Sequence, residues 1–280
     1  MRLALASLAL LTGCAQILGL DDTKLDRRDA AADAPNVCDT PAFPWVATTG
    51  RTVCGQLFVA GTGEPYRVAN PAAQACTSTE GPCGVTVTGQ SSATFYASTS
   101  ADRVPGQVDD CGHFVIPDHD LAATEIAIAI SGTEVANTAR VVFDLDAATT
   151  IETGVAALVV PTATKAAWAT QLSLTETDIA TGYLIRYVTT LGAAVPMEEV
   201  RVGGAAVMGP PARPWASYFT GDFDLLDPTL IATNTGGTAL VATPTTGTFK
   251  LGGFHTGKTC GRDGFASVTD TLIYLVLKDC

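Results

Sequence analysis

Histidine is scarce in this chain, with three in 280 residues. They stand at His113, His119 and His255, so no His-x-x-x-His spacing occurs, and no Gly-x-Ser-x-Gly is present. Paired Cys-x-x-Cys spacing is also missing, which argues against a zinc site built from the eight cysteines. Basic residues are few as well, 16 Lys+Arg against 28 Asp+Glu, for a net charge of -12. That balance argues against nucleic acid or anionic lipid headgroups as partners. Beyond the first dozen residues no apolar run approaches the roughly 20 residues that span a bilayer as a helix. Runs such as 126–130 and 155–160 are short and bounded by polar residues or Pro161.

What is present begins at the N-terminus. Arg2 is followed by the apolar stretch Leu3-Ala4-Leu5-Ala6-Ser7-Leu8-Ala9-Leu10, then Leu11-Thr12-Gly13-Cys14. A basic residue, a short apolar core and small residues form a signal peptide. The aliphatic-small-small-Cys ending resembles the lipobox of bacterial lipoproteins. That resemblance implies cleavage before Cys14, lipidation of its sulfur, and residues 1–13 as a removed signal. Cleavage removes Arg2, so 16 minus 1 leaves 15 basic residues and a more acidic mature chain. Two or more acyl chains hold a protein stably on a membrane where one holds it marginally. Ala15 after Cys14 is not the Asp associated with inner-membrane retention in enterobacterial lipoproteins, which points to the outer membrane by analogy.

Eight cysteines minus Cys14 leave seven, an odd number. In an oxidising compartment most should pair. Cys76 and Cys83 flank a Gly-Pro turn and make a local pair; Cys260 and Cys280 are the two of the C-terminal half. Cys38, Cys54 and Cys111 then hold one bridge and one spare thiol, with Cys54 to Cys111 favoured and Cys38 to Cys111 the alternative.

Residues 14–37, rich in Asp and Ala, show little apolar periodicity and read as a lipid-anchored disordered tether. From there 27 Gly, 15 Pro and 16% charged residues describe a β-rich chain with many turns. Short alternating or apolar stretches at 53–59, 85–89, 93–97, 113–116, 125–130, 140–143 and 155–160 predict strands, the fourth ending at Pro117. Residues 162–181 break this rhythm. Thr164 is the expected cap of a helix over 165–173 that puts Trp168 and Leu172 on one face, and Thr175 to Asp178 reads as a second capped turn. Strands resume at 182–187, 199–203, 246–251 and 271–277. The expected organisation is a first β-sandwich at 38–160, a helical junction at 161–181 and a second β-sandwich at 182–280.

The two halves share motifs in order. Gly182-Tyr183-Leu184-Ile185 matches Gly55-Gln56-Leu57-Phe58; Val200-Arg201-Val202-Gly203 matches Val85-Thr86-Val87-Thr88-Gly89; Gly247-Thr248-Phe249 matches Gly112-His113-Phe114. A glycine-led strand, a small-residue turn before Pro196, a Val-x-Val strand and a Gly-x-Phe strand resemble the carboxypeptidase-regulatory-like (transthyretin-like) family. The family's usual Asp or Asn before that last glycine is replaced by Cys111 and Thr246. The resemblance covers 53–131 and 182–251. It implies an all-β protein of two antiparallel Greek-key sandwich modules with a non-catalytic role in binding or spacing; a general immunoglobulin-like sandwich is the alternative architecture.

Chemistry-bearing residues are scattered. His113 reads as a strand side chain, His119 as a solvated turn, His255 as part of a glycine-rich loop. Asp222-x-Asp224-x-x-Asp227 and Asp144-x-Asp146 are the acidic groupings, and Ca²⁺ is the ion that loop carboxylates chelate. The sequence otherwise implies no cofactor. Trp45, Tyr66, Trp215 and Tyr218 are candidate exposed aromatics, Trp215 and Tyr218 within the Pro-rich loop being candidates for binding. The expectation is a non-enzymatic, lipid-anchored envelope protein, partnered by the membrane through its anchor and by an envelope protein or polysaccharide. Its rivals are a lipid-anchored hydrolase and a carbohydrate-binding accessory protein. A pocket joining His255 with Asp222 or Asp224 would favour the first, an exposed aromatic platform the second.

Overall fold

The last strand organises the molecule. A computed structural model describes residues 50–66, 85–109, 112–120 and 122–278. The signal peptide, the tether, Trp45 and Cys14, Cys38, Cys76, Cys83, Cys111 and Cys280 lie outside the described residues. In chain order the elements are β1 (Arg51–Val59), β2 (Val85–Ser91), α1 (Ser92–Tyr96), β3 (Val104–Pro105), β4 (Gln107–Val108), β5 (His113–His119), β6 (Ile126–Gly132), β7 (Thr138–Val142) and β8 (Ile151–Val159). Then follow α2 (Thr162–Gln171), β9 (Gly182–Val188), β10 (Glu199–Val202), β11 (Ala205–Ala206), β12 (Trp215–Phe219), β13 (Leu226–Asp227), β14 (Thr238–Ala242), β15 (Thr248–His255), β16 (Lys258–Ala266) and β17 (Leu272–Lys278).

Among the described residues these strands form three sheets. One has nine strands in the order β13-β12-β14-β9-β17-β7-β6-β2-β3, and two have four, β4-β5-β1-β8 and β11-β10-β15-β16. β17 is parallel to both its neighbours. It meets β9 from Leu272 opposite Gly182 to Lys278 opposite Val188, and β7 from Leu272 opposite Thr138 to Tyr274 opposite Arg140. A strand buried on both faces reads as a continuous apolar run, and Leu272-Ile273-Tyr274-Leu275-Val276-Leu277 is one, each residue buried.

The two small sheets lie on opposite faces of the large one. Ile126, Ile128 and Ile130 of β6 pack with Val53, Leu57, Phe114 and Ile116 of the β1-β5 sheet. Ala127 of the same strand points the other way, into the core that holds Ile273 and Leu275 of β17 with Val200, Leu251 and Phe265 of the β10-β15-β16 sheet. The even-numbered side of β17, Leu272, Tyr274 and Val276, packs under α2. The fold is therefore all-β with sandwich-like layers, as expected, but the layers share one continuous sheet.

α2 forms where the sequence signals it and buries Trp168 and Leu172 on one face. Its start differs: Pro161 occupies the N-cap without a side-chain bond, and Thr164 lies inside the helix. Proline suits the edge of a first turn because the missing N–H has no partner there. Thr175 and Asp178 do exchange bonds, Thr175 N to Asp178 Oδ2 at 2.9 Å and Asp178 N to Thr175 Oγ1 at 3.4 Å, around a turn. The expected strand at 93–97 is instead helix α1, because the Ser91 hydroxyl accepts from Thr94 N and starts a turn. β5 runs past Pro117: Val53 faces Ile116 while Arg51 faces His119, so Pro117 and Asp118 together stand opposite the single Thr52 in a bulge, where the absent N–H is tolerated.

The repeated motifs do not occupy equivalent places. In the first half the glycine-led strand β1 pairs with the Gly-x-Phe strand β5, and β2 lies in the other sheet. In the second half it is the Val-x-Val strand β10 that pairs with β15, and β9 lies in the large sheet.

Candidate functional site

Three loops gather at the end of the large sheet where β9 and β17 finish. They are residues 189–198, 220–225 and 228–237. Main-chain and side-chain bonds tie them together: Val195 N donates to Tyr187 O at 2.9 Å and Met197 N to Thr233 O at 2.7 Å. Asn234 Nδ2 donates to Thr220 O at 3.1 Å, and Thr238 Oγ1 reaches Gly221 O. These loops carry four of the large exposed apolar side chains, Leu191 (85% exposed), Met197 (65%), Leu225 (56%) and Ile231 (84%). Isolated exposed apolar residues are ordinary, whereas grouped ones mark contact sites.

Beside the loops, Glu198 is buried at 0% exposure. Its backbone is locked to Thr233, N to Oγ1 at 2.8 Å and O from Thr233 N at 3.0 Å. Cys260 Sγ lies 3.6 Å from its Oε1, while Oε2 has no hydrogen-bond partner among the described residues. Burial raises this carboxyl above its ordinary value, with His255 pulling the other way. The seat depends on Gly253: a Cβ there would stand 2.2 Å from Glu198 Oε1. His255 Nδ1 donates to Met197 O, 3.2 Å away. Nothing in the local sequence marks Glu198; it follows Pro196-Met197 and precedes an ordinary alternating strand.

The acidic trio is not assembled into one site. Asp222 pairs with the buried Arg186, NH1 to Oδ2 at 3.1 Å. Asp224 accepts from Gly221 N at 2.9 Å and Thr220 Oγ1 at 3.2 Å. Asp227 accepts from Thr229 N at 2.8 Å, and these Thr229 bonds hold its carboxyl below the usual range. Asp144 pairs with Arg262 at 3.1 Å, and Asp146 Oδ1 caps Ala148 N at 2.9 Å. Among the described residues no three His, Cys, Asp or Glu side chains gather as a metal would need.

Trp215 and Tyr218 are not exposed. Both lie in β12, 1% and 3% exposed, because β12 is an inner strand covered on both faces. Tyr218 OH accepts from Val200 N at 3.1 Å. Tyr66 is partly buried against the β1-β5 core. No platform of exposed aromatics is thus formed by Trp215, Tyr218 and Tyr66. His113 does project from a strand, its Nδ1 2.9 Å from Asp109 Oδ2. His119 is buried rather than solvated, because β5 continues through the bulge to pair with Arg51. Arg51 is itself buried and donates to the carbonyls of Thr149 (3.1 Å), Ala123 (2.7 Å) and Asp146 (2.8 Å), pinning two loops. His255 and Asp222 belong to different partners, so the pocket that favours a hydrolase is not built from them.

One motif escapes the reading of the sequence altogether. Gly252-Gly253-Phe254-His255-Thr256-Gly257-Lys258-Thr259 has the Gly-x-x-x-x-Gly-Lys-Thr spacing of a phosphate-binding loop. That loop works by delivering a strand into a helix N-terminus. Here Thr256 (φ 49°) and Gly257 (φ 81°) form the turn between β15 and β16, which pair from His255 opposite Lys258. The spacing is present without the helix that gives it meaning.

No family model matches this chain, and no curated protein does. Solved structures give distant likenesses. The TIE protein of Bacillus anthracis aligns with 82% of this chain at 6% identity and a TM-score of 0.24, and the chain spans only 34% of that protein. A streptococcal ancillary pilin aligns with 81% of this chain and 68% of its own at 9% identity and 0.21. A minor pilin of Streptococcus agalactiae aligns with 82% and 95% at 10% identity and 0.22. Scores this low carry no argument about function, assembly or location.

Proposed function

We propose that this chain is a non-catalytic, lipid-anchored protein of the bacterial cell envelope, held in the outer membrane, whose β body presents a contact surface for another envelope protein. The observation that carries the reading is that Leu191, Met197, Leu225 and Ile231 stand exposed on three loops at one end of the large sheet. Protein contact surfaces combine such apolar centres with a polar rim. The anchor rests on Leu11-Thr12-Gly13-Cys14. A Leu191→Ser/Ile231→Ser double variant should keep its melting temperature but lose the cross-linked species that the wild type forms in intact envelopes. Unchanged cross-linking would remove the surface from the proposal. A Cys14→Ser variant should leave the membrane fraction; equal retention would remove the anchor.

The disulfide scheme belongs to this reading, with Cys76 to Cys83 and Cys260 to Cys280 as bridges. That Cys54 and Cys260 are each disulfide-bonded supports the scheme. Support for Cys260 to Cys280 comes from the surroundings of Cys260 and of the end of β17. Tyr187, the register partner of Leu277, donates to Gly252 O at 2.8 Å, and Gly252 and Gly253 face Gly261 and Cys260. The bridge of Cys54 with Cys111 stays the favoured one of the remaining three cysteines, with Cys38 to Cys111 the alternative. Non-reducing peptide mapping decides between the pairs.

A further inference from the structure

We infer that the bond between Asp263 and Gly264 is a site of spontaneous covalent modification, where the Asp263 carboxyl closes on the Gly264 nitrogen and reopens as isoaspartate. Asp263-Gly264 is the one Asp-Gly pair of the chain, and no Asn-Gly occurs. The dipeptide alone does not decide the matter, because a regular ladder would hold both residues in place. Here Phe265 faces Phe249 and Arg262 faces Leu251, so Asp263 and Gly264 together stand opposite the single Lys250 in a bulge. β16 is the outer strand of its sheet among the described residues. The Asp263 side chain is 80% exposed. Gly264 takes a φ of 90°, and a Cβ built on it would meet nothing within 4 Å. Lys250 Nζ stands 3.9 Å from Asp263 Oδ2, an exposed ion pair that restrains the carboxyl little.

The chemistry needs only water. The Gly264 nitrogen attacks Cγ of the uncharged Asp263 carboxyl, a C–N bond forms, and the carboxyl hydroxyl leaves with the amide proton as water. The product is a five-membered cyclic imide. Water then adds to either of its carbonyls. Opening at the side-chain carbonyl restores aspartate. Opening at the Asp263 main-chain carbonyl leaves the chain running through Cγ, which is isoaspartate. One water leaves and one enters, and nothing is oxidised or reduced. Glycine favours the closure because no Cβ crowds its nitrogen and its φ is free to adjust. The isoaspartyl form carries an extra methylene in the backbone beside Arg262. That residue pairs with Glu125 and Asp144 and lies 4.3 Å over the Phe143 ring, tying β16 to the start of β6 and the end of β7.

The full chain is incubated in heavy-oxygen water at mildly acidic pH, then digested in ordinary water and mapped by mass. Ring opening places one heavy oxygen in the peptide whichever carbonyl is attacked, and the isoaspartyl peptide elutes apart from the aspartyl one. Asp146-Ala147 is the internal reference, an exposed pair whose carboxylate already accepts from Ala148 N at 2.9 Å. The Asp263 peptide should take up label about tenfold faster or more, since Ala147 carries the Cβ that Gly264 lacks. Because the bulge leaves the pair open, its rate in the folded chain should stay within about threefold of the rate in urea. Asp263→Glu should take up no label at this position, its ring being one atom larger and slow to close. Wild type should lose melting temperature on incubation while Asp263→Glu does not. Label at Asp263 no greater than at Asp146, or a folded rate far below the unfolded one, overturns the site. Equal melting losses in the two proteins overturn its effect on the Arg262 tie.

Discussion

In the first half of the molecule the space between sheets is filled by aliphatic side chains, Val53, Leu57, Val85, Val87, Ile116, Ile126, Ile128 and Ile130, with Phe114 the one large ring at its centre. In the second half the face under α2 is aromatic. Trp168 stacks edge-on against Phe219 at 5.1 Å, Phe219 against Phe223 at 5.2 Å, and Phe223 against Tyr274 at 5.6 Å. The difference follows from what covers the sheet. Two sheets face to face stand about 10 Å apart, a gap that β-branched residues fill. A single ten-residue helix laid across wide strands leaves irregular space, and rings with edge-to-face contacts fill it. The two halves are nevertheless one body, because β17 hydrogen-bonds to both.

The largest effect tests that last statement. A chain ending at residue 270 loses the strand between β9 and β7, so both halves should lose cooperative unfolding. Circular dichroism with urea titration reads this, and a truncated chain that keeps one sharp transition would separate the halves. Next, Trp168→Ala should cost about 3–5 kcal/mol, the range for emptying a large buried aromatic site, whereas Ile128→Val in the first half should cost about 0.5–1.5 kcal/mol. Trp168 also loses its indole bond to Asp224 O, 2.9 Å, so the gap between the two variants should widen. Equal shifts in the urea midpoint would show that the aromatic face carries no more than the aliphatic one.

The smallest expected effect is a slope. The Glu198 carboxyl binds its proton more tightly in the folded chain than at the ordinary value of 4.5. Between 4.5 and the raised folded value the native state holds more protons than the unfolded one, so stability falls as pH rises through that window. Below 4.5 both states are protonated and the contribution is flat. Glu198→Gln should therefore unfold with a shallower decline between pH 4 and pH 7 than the wild type; parallel declines would discard the shift.

Much of the β character was legible because alternation is a local property. Ile126, Ile128 and Ile130 alternate with alanines, and the structure puts the two sets on opposite faces. The helix at Thr162–Gln171 was legible for the same reason, Trp168 and Leu172 being one turn apart. The binding aromatics were misplaced because prolines at 210, 211 and 214 read as a loop, and only the pairing of β12 with β14 buries Trp215 and Tyr218. Glu198 was illegible for a deeper reason. Its burial comes from Gly253, Thr233 and Cys260, residues 35 or more positions away in the chain.

By itself, then, the sequence determined the all-β class, the strand faces, the helix between the halves and the N-terminal features that argue for export. Those depend on side-chain order within a few residues and on composition. The tertiary structure alone decided that β17 closes a sheet shared by both halves, that the two small sheets take opposite faces of it, and that a carboxyl is sealed against Cys260. Strand partners and buried neighbours are chosen by register and packing across more than a hundred residues, and no local pattern encodes which strand a given apolar run will join.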